Sequence, residues 1–142
     1  MSTAASTDAA TAAAVTVAPD PKDNGSLRQL PNSPQIYLIL NGLRCWIPDM
    51  TTLGSLFVSG TTAQSDPNLG DIEEGVPLTS GAVLAQASGS DPIYLVTNSK
   101  KMWIPSMDIF NSYHFDLGKV QVVAPILLNL IPSGPDVQGP TS

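Results

Sequence analysis

One cysteine, six basic residues, one histidine and no long apolar run bound what this chain can be. Cys45 alone rules out an intrachain disulfide framework, so folding does not require an oxidising compartment. The six Lys and Arg are scattered through 142 residues against 12 Asp and Glu, for a net charge of -6. Binding a phosphate backbone requires clustered cations, so the charge argues against nucleic acid and disfavours acidic membrane surfaces as partners. No stretch approaches the ~18 consecutive apolar residues of a spanning helix, and the N-terminus lacks the basic region and apolar run of a secretory signal. Hence the chain is expected to be soluble and not inserted in a membrane, and either cytoplasmic or exported by a non-classical route. Charged residues make up 13% of the chain, about half the usual quarter, which leaves the surface to Ser, Thr, Asn, Gln and Gly.

Catalytic side chains are equally scarce. His114 stands in Asn111-Ser-Tyr-His-Phe-Asp116, near Ser112 and Asp116, where a base is imaginable but a helix-end histidine is the simpler reading. Cys45 falls on the apolar side of its segment and reads as a small core residue rather than a nucleophile. Zinc needs clustered Cys and His, which are absent. Asp66, Asp71, Glu73 and Glu74 follow no calcium-loop spacing and read as a solvated acidic loop. Asp49 and Asp91 flank apolar segments without being singled out as a hydrolytic pair. The chain is therefore expected to be no enzyme and to carry no cofactor or metal.

What the chain does contain is a repeat. The segment 36–50, IYLILNGLRCWIPDM, aligns without a gap, 57 positions on, with 93–107, IYLVTNSKKMWIPSM; eight of the 15 positions are identical. Two Tyr and two Trp in register do not arise by chance, and self-similarity at this period marks a duplicated structural unit. Gly25 and Gly81 open the two units, and Leu78-Thr-Ser-Gly and Ile131-Pro-Ser-Gly close them. The expected organisation is a leader over 1–24, rich in Ala, Ser and Thr and disordered, one domain over 25–134 made of units 25–80 and 81–134, and a flexible Pro- and Gly-rich tail over 135–142.

Asn41-Gly42 between two apolar, β-branched-rich runs is a strong hairpin signal, because a type I′ turn needs positive φ at both central residues. Asn98-Ser99 takes the same place in the second copy. Counting outward from two-residue turns pairs Tyr37 with Trp46 and Ile39 with Arg44, then Tyr94 with Trp103 and Val96 with Lys101. Alternation separates two faces. Ile36, Leu38, Leu40, Leu43, Cys45 and Ile47 form a core face. Tyr37, Arg44 and Trp46, with Ile39, form the other, and Tyr94, Lys101 and Trp103, with Val96, repeat it. These six aromatic and basic residues are the candidate ligand-binding set.

Pro48-Asp49 and Pro105-Ser106 each put an N-cap residue ahead of apolar residues at helical spacing, which predicts a short helix after each hairpin. The run from Val120 to Ile131 predicts a buried strand, a proline and one more apolar turn, with a poorer counterpart around 71–78. The polar loop 59–70 is the largest asymmetry between copies. The fold class that follows is mainly β with short helices, built from two pseudo-symmetric hairpin-containing repeats.

The pattern Tyr-Leu-[Ile/Val]-x-Asn-[Gly]-x-[Lys/Arg]-x-Trp-Ile-Pro, followed by a short helix and an Ile-Pro-Ser-Gly close, resembles a repeat found in tandem in many uncharacterised, often exported or surface-associated bacterial proteins. The resemblance covers most of 25–134, but Ser99 departs from the turn glycine and the first unit closes weakly. It implies repetition and an envelope or extracellular setting, and it brings no catalytic residue. From the residues themselves, two function classes stand. One is a lectin-like module in which Tyr and Trp stack on sugar rings while Arg44 and Lys101 orient hydroxyls, its two copies giving avidity for a glycan or cell-surface component. The other is a structural or assembly protein whose aromatic faces pack internally or against a partner subunit, including a second copy of the chain.

Overall fold

The computed structural model describes residues 17–140. The architecture is mainly β: two four-stranded mixed sheets with three short helices. The first unit supplies β1 (Leu27–Gln29), β2 (Ile36–Leu40), β3 (Leu43–Ile47), α1 (Met50–Leu56) and β4 (Gln64–Ser65). The second supplies β5 (Val83–Ala87), β6 (Ile93–Thr97), β7 (Lys100–Ile104), α2 (Met107–Ser112), β8 (Gln121–Val123) and α3 (Pro125–Asn129). The sheet orders β3-β2-β1-β4 and β7-β6-β5-β8 are the same order written twice.

Both hairpins turn in two residues. Asn41 (φ 52°) and Gly42 (φ 83°) join β2 to β3, and Asn98 (φ 55°) and Ser99 (φ 60°) join β6 to β7. The registers are those counted from the sequence, Tyr37 opposite Trp46 and Tyr94 opposite Trp103. Each helix then starts where proline ends the strand. Asp49 caps α1 by accepting from the Thr52 N–H at 2.7 Å, and Ser106 caps α2 by accepting from the Ile109 N–H at 3.2 Å.

The two units are interlocked. The α1 hydroxyls of Thr52 and Ser55 bond Gly81 N–H and the Ala82 carbonyl at the start of the second unit. On the other side, a Cβ on Gly25 would collide with the Ser112 carbonyl of α2. An antiparallel bridge, Phe57 to Phe115, joins the segments that follow the two helices. Around it Phe57, Phe110, Tyr113 and Phe115 pack with ring centroids 5.3–5.7 Å apart. One core runs through both sheets, from Leu38 and Cys45 to Leu95 and Met102.

Several expectations from the sequence change here. The expected tail does not begin at Pro135: Val137 is 1% exposed, and its N–H bonds the Trp103 carbonyl at 2.8 Å. Residues 17–24 are likewise part of the fold, with Ala18 bridged to Ile72 and Asp20 N–H bonded to the Gly42 carbonyl. Expectations for 1–16 and 141–142 lie outside the described residues. The strand near Val120 is not buried. It is the edge β8, paired only with β5, and its Val122 is 64% exposed. Its counterpart is not 71–78 but β4, inside the supposed polar loop, because Gln64 pairs with Arg28 as Gln121 pairs with Ala85, 57 positions on. The closing segments match at 59 positions: Leu78 N–H bonds the Trp46 carbonyl as Val137 bonds that of Trp103.

Candidate functional site

Both faces of each hairpin are used. Near the turn of the first, Ile39 is 0% exposed and packs with Leu69 and Ile72 against Tyr37, so this part of the expected ligand face is a second small core. The chain returns over its own hairpin there, because Arg44 donates from Nε to the Ile72 carbonyl at 2.8 Å. In the second unit Lys101 Nζ donates to the Leu128 carbonyl of α3 at 3.0 Å. Each cation also lies beside its tyrosine, Arg44 at 5.6 Å from the Tyr37 ring centroid and Lys101 at 5.5 Å from that of Tyr94. Such pairs are worth about 0.5–1 kcal/mol when partly exposed. Tyr37, Arg44, Tyr94 and Lys101 are thus committed to intramolecular contacts that hold the returning segment down.

The tryptophans sit at the other end, where strands meet helices. Trp103 is 41% exposed and Trp46 is half-buried. Each lines a groove. The first, of about 210 Å³, is walled by Pro34, Gln35, Ile36, Trp46, Pro48 and Met50, with Ile47, Asp49 and Leu53 completing it. The second, of about 300 Å³, is walled by Asp91, Pro92, Ile93, Trp103, Pro105 and Met107, with Ile104, Ser106 and Phe110 completing it. All nine positions of one groove map onto the other at a separation of 57, and Ile, Trp, Ile, Pro and Met are identical in both.

No family model, curated protein or solved structure matches this chain. The grooves must therefore be read from their own chemistry. Their walls are aromatic, aliphatic and proline carbons, the usual lining of small-ligand sites. Neither indole N–H donates to a protein acceptor among the described residues, and neither is sealed from solvent. No Lys or Arg reaches either groove. Of the six residues picked from the sequence, the structure brings Trp46 and Trp103 to a groove and places Tyr37, Arg44, Tyr94 and Lys101 outside it.

Met50, Met107, Pro48 and Pro105 were missed as site residues. Only part of the signal lay in the sequence, the identity of these positions between copies; the structure adds that the methionines are exposed, 68% for Met50 and 46% for Met107. A core would have hidden them. Helical spacing instead made them look like inward-facing residues.

Cys45 and His114 are far poorer candidates. Burial pushes the Cys45 thiol up to about 11, which removes the thiolate a nucleophile needs. His114, exposed at φ 61°, faces a cleft with Ser26, Thr61, Thr62 and Gln64 and no carboxylate.

Proposed function

We propose that this chain is a non-enzymatic, lectin-like binding module that holds carbohydrate by stacking sugar rings on Trp46 and Trp103. The reading rests on one observation: the same nine-position groove recurs at both tryptophans, with an accessible indole in each. Repetition of the unit explains why two copies of a structural residue match. It does not explain why matching Trp, Met and Pro stay open to solvent. A sugar ring offers a C–H face to an indole and hydroxyl oxygens to its N–H, and base-on-aromatic stacking of comparable area is worth about 1–3 kcal/mol. Two weak sites on one chain gain avidity on a multivalent glycan without new contacts.

The test is a glycan array with the full chain, followed by tryptophan fluorescence titration and iodide quenching. Binding that protects the indoles from iodide supports the reading. No binding on the array, or binding unchanged in a folded Trp46→Ala/Trp103→Ala variant, overturns it.

A second reading, assembly through a partner subunit, is favoured by a different surface. Val122, Ile126, Leu127 and Leu130 are all exposed on β8 and around α3, whereas their counterparts 57 positions back are Ser65, the buried Leu69, Gly70 and Glu73, so the first unit has no such exposed apolar face there. Light scattering tests it: a monomer at all concentrations sinks self-assembly through this face.

A further inference from the structure

Building on the carbohydrate reading, we infer that the two grooves are unequal, that the Trp103 groove is the principal site, and that it selects uncharged glycans over acidic ones. Four observations lead there. The Trp103 groove is the larger, about 300 against 210 Å³, and its indole is the more exposed. Its polar groups are also available. No protein donor bonds the Asp91 carboxylate among the described residues, and the Ser106 hydroxyl accepts from Ile109 N–H while its own proton stays free to donate. In the Trp46 groove Pro34 stands where Asp91 does, and the one carboxylate there, Asp49 at the position of Ser106, is spent on Thr52 N–H at 2.7 Å and the Ser80 hydroxyl at 2.6 Å.

Charge and shape narrow the ligand. Asp91 stands in the wall of the principal groove with no cation beside it, on a chain of net charge -6. A uronate or sulfate placed there would face an uncompensated like charge. A pyranose whose hydroxyls are all equatorial presents flat C–H faces, which suit an indole flanked by Pro105 and Met107, and Asp91 and Ser106 line the same groove as polar partners for hydroxyls.

The test uses the intact chain, cellohexaose as the neutral probe and hexagalacturonate as the acidic one. Indole N–H resonances report each groove separately. Cellohexaose is expected to shift the Trp103 signal first. Trp103→Ala should weaken binding about tenfold or more, in line with the worth of one stacked ring, and Trp46→Ala about threefold or less, below that worth because its groove is the minor site. Asp91→Lys reverses the charge of an exposed side chain that makes no hydrogen bond or ion pair among the described residues, and it should raise hexagalacturonate binding relative to cellohexaose. Equal effects of the two Trp variants, stronger binding of hexagalacturonate by the parent chain, or no change of preference in Asp91→Lys would each overturn the inference while leaving carbohydrate binding in place. Failure of every neutral and acidic glycan to bind would instead remove the reading on which it rests, and the inference with it.

Discussion

Asn41 Nδ2 donates to the Asp136 carbonyl at 2.9 Å, tying together residues 95 positions apart. The Asn41 Oδ1 accepts from the Gln138 N–H at 2.8 Å. Asn98 makes the reciprocal arrangement, donating to the Pro77 carbonyl at 3.1 Å and accepting from the Thr79 hydroxyl at 2.9 Å. The turn asparagine of each unit thus clasps the closing segment of the other.

Replacing Asn41 by glycine separates its two roles, since glycine keeps the positive φ but cannot clasp. Loss of two hydrogen bonds should cost about 1–3 kcal/mol, read as a lower urea midpoint. An unchanged midpoint would show that the turn alone matters.

Ser99 adopts φ 60° where its counterpart is Gly42. Left-handed backbone costs a non-glycine residue about 1–2 kcal/mol, part of which glycine returns through unfolded-state entropy. Ser99→Gly is therefore expected to stabilise by roughly 0.5–1 kcal/mol, raising Tm by a few degrees. A fall in Tm would mean that the hydroxyl has a role its contacts do not reveal.

Gly75 and Gly134 occupy equivalent places beside the two hairpins, their N–H groups bonding the Arg44 and Lys101 carbonyls. A Cβ on Gly75 would stand 2.8 Å from Leu43 Cβ and 2.9 Å from Cys45 Sγ, whereas one on Gly134 would stand 3.3 Å from Lys100 Cβ. Gly75→Ala should cost about 1–3 kcal/mol by overpacking, and Gly134→Ala distinctly less. Calorimetry of the pair decides the matter, and reversed ranks would contradict the packing given for Cys45.

Two groups set opposite limits on pH stability. Burial raises the Cys45 thiol to about 11, above its unfolded value of 9.0. Its contribution is therefore whole below pH 9 and lost as pH rises toward 11. Hydrogen bonds from the Ser80 hydroxyl and from Thr52 hold the Asp49 carboxylate below the ordinary range, so its contribution is present above that range and lost in acid. Cys45→Ala should soften the alkaline limb and Ser80→Ala the acid limb of a Tm–pH profile. A thiol reagent that modifies folded Cys45 at pH 8 as fast as a free thiol would refute its burial.

The hairpins were legible because local rules settle them: Asn-Gly dictates a two-residue turn, and alternation then places every side chain. The helices were legible for the same reason, from Pro-Asp and Pro-Ser. What the sequence hid was non-local. Nothing near Ile39 says that Leu69 and Ile72 will cover it, and nothing near Asn41 says that Asp136 will accept its amide. Short edge strands such as Gln64–Ser65 carry too few residues to show a period. Four of the six candidate site residues were misplaced for this reason: the hairpin puts tyrosine, tryptophan and cation on one side, but the later chain decides which of them remain open.

The reciprocal clasp also fixes an order of events during synthesis. The first hairpin, complete at Ile47, has no partner for its turn amide until Asp136 and Gln138 have been made, about 90 residues later. A ribosome that stops early therefore releases a product with its opening unit unlatched, and quality control would meet that product as an unfinished molecule whatever the fate of its binding grooves.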